Sequence, residues 1–153
     1  MPLHPALVHL PIGLALVLGV VLAALACLSR ADTAPRAIWW VGVLLATIVA
    51  TSALASSSAG EDEALRLRNV VPHAAIEAHD DAAGYFTFAS VIVAVLALVA
   101  GVTAKPRIRR ALQITAAASA FLLMPLALRT GYLGGELVWV HDAPRAAPVT
   151  STE

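Results

Sequence analysis

Charge is scarce in this chain. Asp, Glu, Lys and Arg make up 13% of its 153 residues, about half the ~25% of a soluble globular domain. Residues 1–29, 37–60, 82–104 and 111–128 contain none of them. The net charge is zero, with one lysine and nine arginines, and no basic patch large enough for nucleic acid is left. Cysteine is nearly absent too: Cys27 is alone, which excludes a disulfide framework and a thiolate metal cluster. No P-loop, dinucleotide fingerprint, catalytic triad or H-E-x-x-H motif occurs, so no enzyme class is indicated. There is no charged ring or repeated broken helix of the kind pores and transporters show.

The chain has apolar length instead, with 59% hydrophobic residues and a mean hydropathy of +0.82. Crossing a ~30 Å hydrocarbon core takes roughly 20 apolar residues in a helix, and all four uncharged stretches suffice. In lipid a backbone must satisfy its own hydrogen bonds, so each stretch is expected to be a helix. Continuous runs of this length do not fit barrel strands. The expected fold is an all-α integral membrane four-helix bundle, a single domain over 1–141. Its spans fall near 5–28, 37–59, 82–104 and 111–129, with a polar tail, 142–153, expected to be disordered. The first stretch lacks a basic n-region, and Ala24-Leu25-Ala26 before Cys27 makes a poor lipoprotein cleavage site, so it is expected to be retained as a span. Residues 60–71 form the longest polar segment. Pro72 suits the first turn of a helix that begins outside the lipid.

Two short loops carry Arg30, Arg36, Lys105, Arg107, Arg109 and Arg110 against a single acid, Asp32. By the positive-inside rule these loops are cytoplasmic and both termini face the periplasm or cell exterior. The expected location is a bacterial cytoplasmic membrane. Trp39 and Trp40 would anchor the inner interface, and Tyr132 and Trp139 the outer one.

With that topology all five histidines (His4, His9, His73, His79, His141) fall at the outer end. Ionisable groups in membrane segments point to a site. His73 and His79 are six residues apart, about 120° around a helix, so they face different ways. His79 continues through Ala83, Phe86, Ser90, Ala94, Ala97 and Gly101, mostly small residues of the kind that lets helices pack closely. His73 continues through Glu77, Asp80, Gly84, Phe88, Val91 and Val95, a bulkier line expected to face lipid. His9 continues through Gly13, Leu16, Val20 and Cys27, which suggests that it points inward as well. Pro11 implies either a helix start or a kink beside His9.

Two inward histidines on facing helices would suit the axial positions of a b-type haem. His9 and His79 are the candidate ligands, and Arg129 is a candidate partner for the propionates. Arg129 could equally snorkel to lipid phosphate or pair with Glu136. A second reading takes His4, His9, His73, His79, His141, Glu77 and Glu136 as a mixed nitrogen and oxygen set for a divalent zinc, copper or iron ion. A third is an accessory subunit whose histidines line a polar rim. Met124 is expected to fill core space. Gly131, Gly134 and Gly135 suggest a break after the fourth helix, and Glu136 could cap backbone amides there or orient a ligand histidine.

The opening His4-Pro5-Ala6-Leu7-Val8-His9-Leu10-Pro11-Ile12 and the closing Thr130-Gly131-Tyr132-Leu133-Gly134-Gly135-Glu136-Leu137-Val138 resemble the domain-of-unknown-function 2231 family, small bacterial membrane proteins. Leu10 departs from a pattern that favours an aromatic there. The resemblance covers essentially the whole chain and implies a four-helix membrane domain, often found beside redox or cytochrome modules, with no established activity. Its motif positions fall on His4, His9, Gly134, Gly135 and Glu136. Expected partners are the lipid bilayer, redox proteins such as cytochromes, and further copies of the chain.

Overall fold

The computed structural model describes residues 8–29, 36–67, 69 and 71–141. They form four long helices: α1 (His9–Leu28), α2 (Trp39–Leu67, entered through a short 3-10 turn, Arg36–Ile38), α3 (His73–Val102) and α4 (Pro106–Trp139). Each is long and apolar enough to cross a membrane, and no strand occurs among the described residues. Around the bundle α1 packs between α2 and α4, and α3 does the same on the other side. α1 and α3 therefore face each other across a diagonal.

The core is built from a repeat with alternating steps of four and three. It is clearest on α4, where Ala116, Ala120, Leu123, Ala127 and Thr130 are buried in turn. Leu18 and Leu22 of α1, Ala46 and Val49 of α2, and Val93 and Ala97 of α3 meet them. The abundance of alanine and glycine brings backbones close together, which is how helices gain dispersion energy in lipid. A Cβ built on Gly19 would lie 2.9 Å from Phe121 Cγ and 3.1 Å from the Phe121 backbone nitrogen. At Gly42 it would come within 2.6 Å of Leu22 Cδ2. Outside the bundle the pattern inverts: Val17, Leu44, Phe88, Val95, Leu122 and Leu128 are exposed, as a surface solvated by acyl chains requires.

Two polar contacts lock the end away from the histidines. The indole N–H of Trp39 donates to the Ala97 carbonyl at 2.9 Å. Trp39 is 2% exposed, so it is an interhelical clamp and not the interfacial anchor expected of it, whereas its neighbour Trp40 is exposed. An Arg110 guanidinium N–H donates to the Ala26 carbonyl, placing a cation at the negative C-terminal end of α1.

Three boundaries differ from the sequence expectation. α2 does not stop near residue 59 but continues to Leu67, because Leu67 joins Val71 and Ile76 in a second small core with Leu137 packed against it. α4 does not break at its glycines and runs unbroken to Trp139, with Pro125 inside it. Each interior glycine costs a helix about 1 kcal/mol against alanine, and the packing of this arm offsets that cost. Pro125 removes the N–H that would pair with the Phe121 carbonyl. α1 starts at His9 without a kink. Pro11 lies in its first turn, where a backbone N–H has no intrahelical acceptor in any case. The tail, 142–153, lies outside the described residues.

Helix length then decides the shape of the histidine end. At 1.5 Å per residue, α1 with 20 residues matches the ~30 Å hydrocarbon core. α2, α3 and α4, with 29, 30 and 34 residues, overshoot it. Their charged ends (from Glu61, up to Asp81 and from Arg129) project together, so among the described residues three of the four helices extend beyond the lipid.

Candidate functional site: two histidines beside a glycine turn of α4

His79 lies near the start of α3, half-buried, in the register that continues inward as Phe86, Ser90, Val93 and Ala97, all buried. Its imidazole lies against α4 at Gly134. A Cβ built there would come within 3.1 Å of His79 Cε1, 3.5 Å of Nδ1 and 3.9 Å of Nε2. Gly134 is therefore not a helix breaker. It is the gap in the side-chain layer of α4 that the imidazole occupies.

His9 reaches the same level from α1. A Cβ on Gly131 would lie 3.8 Å from Ile12 Cδ1, and α1 and α4 run antiparallel. One turn beyond this contact, His9 comes level with Gly134. Its orientation differs from expectation, however. The buried face of α1 is Pro11, Ala15, Leu18, Gly19, Leu22, Leu25 and Ala26. His9 is exposed, and so are Gly13, Val20 and Cys27 on the line that follows it. That line faces away from the bundle interior. The two histidines thus share a level but stand on different flanks of α4.

The other candidates separate. His73 and Glu77 pair one turn apart, with His73 Nδ1 3.3 Å from Glu77 Oε1 and both side chains more than 60% exposed, a solvated pair of small energetic weight. Asp80, Gly84, Phe88 and Val95 below them are exposed, as expected for the outward line of α3. His141 follows α4 and its backbone N–H donates to the Glu136 carbonyl at 3.3 Å. Arg129 is exposed and Glu136 half-buried. The expected alternative of an ion pair between them is not found among the described residues. His4 lies outside the described residues. Among those described, no three His, Cys, Asp or Glu side chains come together as a metal-holding group. Met124 is half-buried.

The small core that holds this end together went unforeseen. Leu67, Val71 and Ile76 are buried with Leu137 against them, and the polar Ser56 and Thr130 are buried near the same end, Thr130 donating its hydroxyl to the Leu126 carbonyl at 2.9 Å. The four-three register was the available signal. Continued from Ala127 through Thr130 it arrives at Gly134 and then Leu137, which marks those positions as core.

A family model described as a predicted membrane protein of the domain-of-unknown-function 2231 type matches residues 1–146. The chain belongs to that family. No curated protein and no solved structure matches it. Within the family frame, His9 and Gly134, from motifs at opposite ends of the sequence, are the positions that the α1–α4 packing sets at one level.

Proposed function

We propose that this member of the domain-of-unknown-function 2231 family is a bacterial cytoplasmic-membrane protein that binds a b-type haem at its histidine end and supports electron transfer. The end bearing the histidines faces the periplasm in this reading, because the opposite loops carry the basic residues. The observation that carries the proposal is His79, held half-buried against the bare α4 backbone at Gly134, with His9 level with it on an exposed line of α1, from which it would have to turn toward α4 to complete the pair.

Number of ligands favours haem over a divalent ion. A structural zinc site takes four protein ligands and a catalytic one three, whereas haem iron needs only two axial partners. Two histidines stand at this level, and the His73–Glu77 pair is exposed on the outward line of α3. When bound, haem would supply a one-electron couple. The protein's own part is to fix His79 by packing against Gly134, to offer His9 from the flank of α1, and to keep water from the alanine-packed core beneath. Arg129, exposed just beyond the uncharged stretch of α4, would attract the propionates. Periplasmic cytochromes are the class of partner such a site would serve, and the exposed small residues leave room for association between copies.

The test is an absorption spectrum of the detergent-purified protein, oxidised and dithionite-reduced, with metal analysis on the same sample. The expected result is a Soret band that sharpens on reduction and disappears in His79→Ala and His9→Ala but survives Glu77→Gln. A colourless protein with stoichiometric zinc, copper or iron would overturn the haem reading in favour of a metal site. A colourless, metal-free protein after haem supplementation would leave the accessory-subunit reading.

A further inference from the structure

Beyond the histidines, the surface of α4 carries a shallow, open hollow of about 350 Å³ lined by Gly131, Tyr132, Gly135, Glu136, Trp139 and Val140. These residues form two adjacent lines at i, i+4 spacing: Gly131, Gly135 and Trp139 beside Tyr132, Glu136 and Val140. Residues one turn apart on a helix are neighbours on its surface, so the missing side chains at Gly131 and Gly135 leave a hollow between the two aromatic rings. A Cβ at Gly135 would meet nothing within 4 Å. Gly134, whose side-chain position is occupied by His79, belongs to a different face.

The chemistry of the lining is specific. Tyr132 is 73% and Trp139 87% exposed. Glu136 stands between them, half-buried, and its carboxylate makes no ion pair or hydrogen bond among the described residues. A carboxylate framed by Trp and Tyr attracts cations through both charge and ring quadrupole, and organic ammonium groups are the ligands for which such sites are used. A small hydrated metal ion would gain less from ring faces, and an anion would be repelled. The hollow begins one turn beyond the uncharged stretch of α4, at the level of lipid headgroups.

We infer that the hollow binds an organic ammonium group, of the methylated or primary amine type, between Trp139 and Tyr132 with Glu136 as its counter-ion. The group can belong to a phospholipid headgroup or to a soluble amine.

The test uses full-length protein in nanodiscs made only of phosphatidylglycerol, which has no ammonium. With 5-fluorotryptophan incorporated, the three tryptophans give separate fluorine resonances, and Trp139→Phe identifies that of Trp139. Tetramethylammonium chloride is titrated against sodium chloride at equal ionic strength. A saturable shift of the Trp139 resonance alone is expected, with Trp39, buried in the core, reporting that the fold is intact. Glu136→Gln should weaken the apparent affinity about tenfold, the equivalent of ~1.4 kcal/mol. Gly135→Leu should abolish the shift by filling the hollow, with the Trp39 resonance unmoved. A shift equal in sodium chloride, or unchanged in Glu136→Gln, would overturn the inference. Nanodiscs of phosphatidylcholine then identify the source. A headgroup site would show the Trp139 resonance already displaced and insensitive to added tetramethylammonium; a site for soluble amines would titrate as before.

Discussion

The same chemical change, glycine to alanine, should have opposite effects at two positions of α1 six residues apart. Gly19 faces α4, and a new methyl there would sit 2.9 Å from a Phe121 ring carbon and 3.1 Å from the Phe121 backbone nitrogen. The ring could rotate away, but the backbone cannot move without separating the two helices. Overpacking of this kind costs about 1–3 kcal/mol. At Gly13 the methyl meets nothing within 4 Å, so only the helix-propensity gain of about 0.5–1 kcal/mol remains. That gain applies equally to both variants and cancels in their difference. Gly13→Ala should therefore be more stable than Gly19→Ala by about 1–3 kcal/mol, with the parent protein between them. Unfolding by sodium dodecyl sulfate in mixed micelles, followed by circular dichroism, measures this ordering. If Gly19→Ala is as stable as Gly13→Ala, the close approach of α1 to α4 at Phe121 is wrong.

Further outcomes follow from other contacts. Trp39→Phe removes the donor to the Ala97 carbonyl and leaves a gap where the larger indole was buried, and should cost more in the same assay than the about 0.5–1.5 kcal/mol of the hydrogen bond alone. Leu137→Ala weakens the small core of Leu67, Val71 and Ile76, and hydrogen exchange should then quicken over 131–139 while the membrane portion of α4 stays protected. Glu77→Gln removes one partner of an exposed pair and should change stability by no more than about 0.5 kcal/mol. Gly134→Val should perturb the ring-proton resonances of His79 and leave those of His73 unmoved, because only His79 abuts Gly134.

Much of the architecture was legible because a membrane imposes length and polarity together. Four uncharged stretches implied four spans, and the line below His79 is inward as its small residues suggested, with Phe86, Ser90 and Ala97 buried and Ala83, Ala94 and Gly101 half-buried. The parts misread share one cause, a local signal overridden by packing register. Gly131, Gly134 and Gly135 looked like a break, yet the four-three repeat from Ala116 to Thr130 runs straight on to Gly134 and Leu137. Residues 60–67 looked like a loop because they are polar, but beyond the lipid a helix needs no apolar surround, and Leu67, with Ala64 beside it, ties this one down. The same register explains the two histidines. His79 is in step with Ala83, Phe86, Ser90 and Val93 on α3. On α1 the repeat runs through Pro11, Ala15, Leu18, Leu22 and Leu25, and His9 is out of step with it. Small residues below His9 mimicked an interface that the register assigns elsewhere.

Unequal helix length also makes α1 the depth gauge of the molecule. α2, α3 and α4 carry spare turns past the hydrocarbon and can slide by several ångströms without burying an end. Among the described residues α1 has no such reserve, because its 20 residues only just span the ~30 Å core. In a thicker bilayer the shortest span is the first to be mismatched, and the bilayer must thin or the helix end be drawn in. The end drawn in carries His9, while His79 stays fixed to Gly134 by protein contacts. A change in membrane thickness should therefore alter the surroundings of the exposed His9 more than those of the half-buried His79.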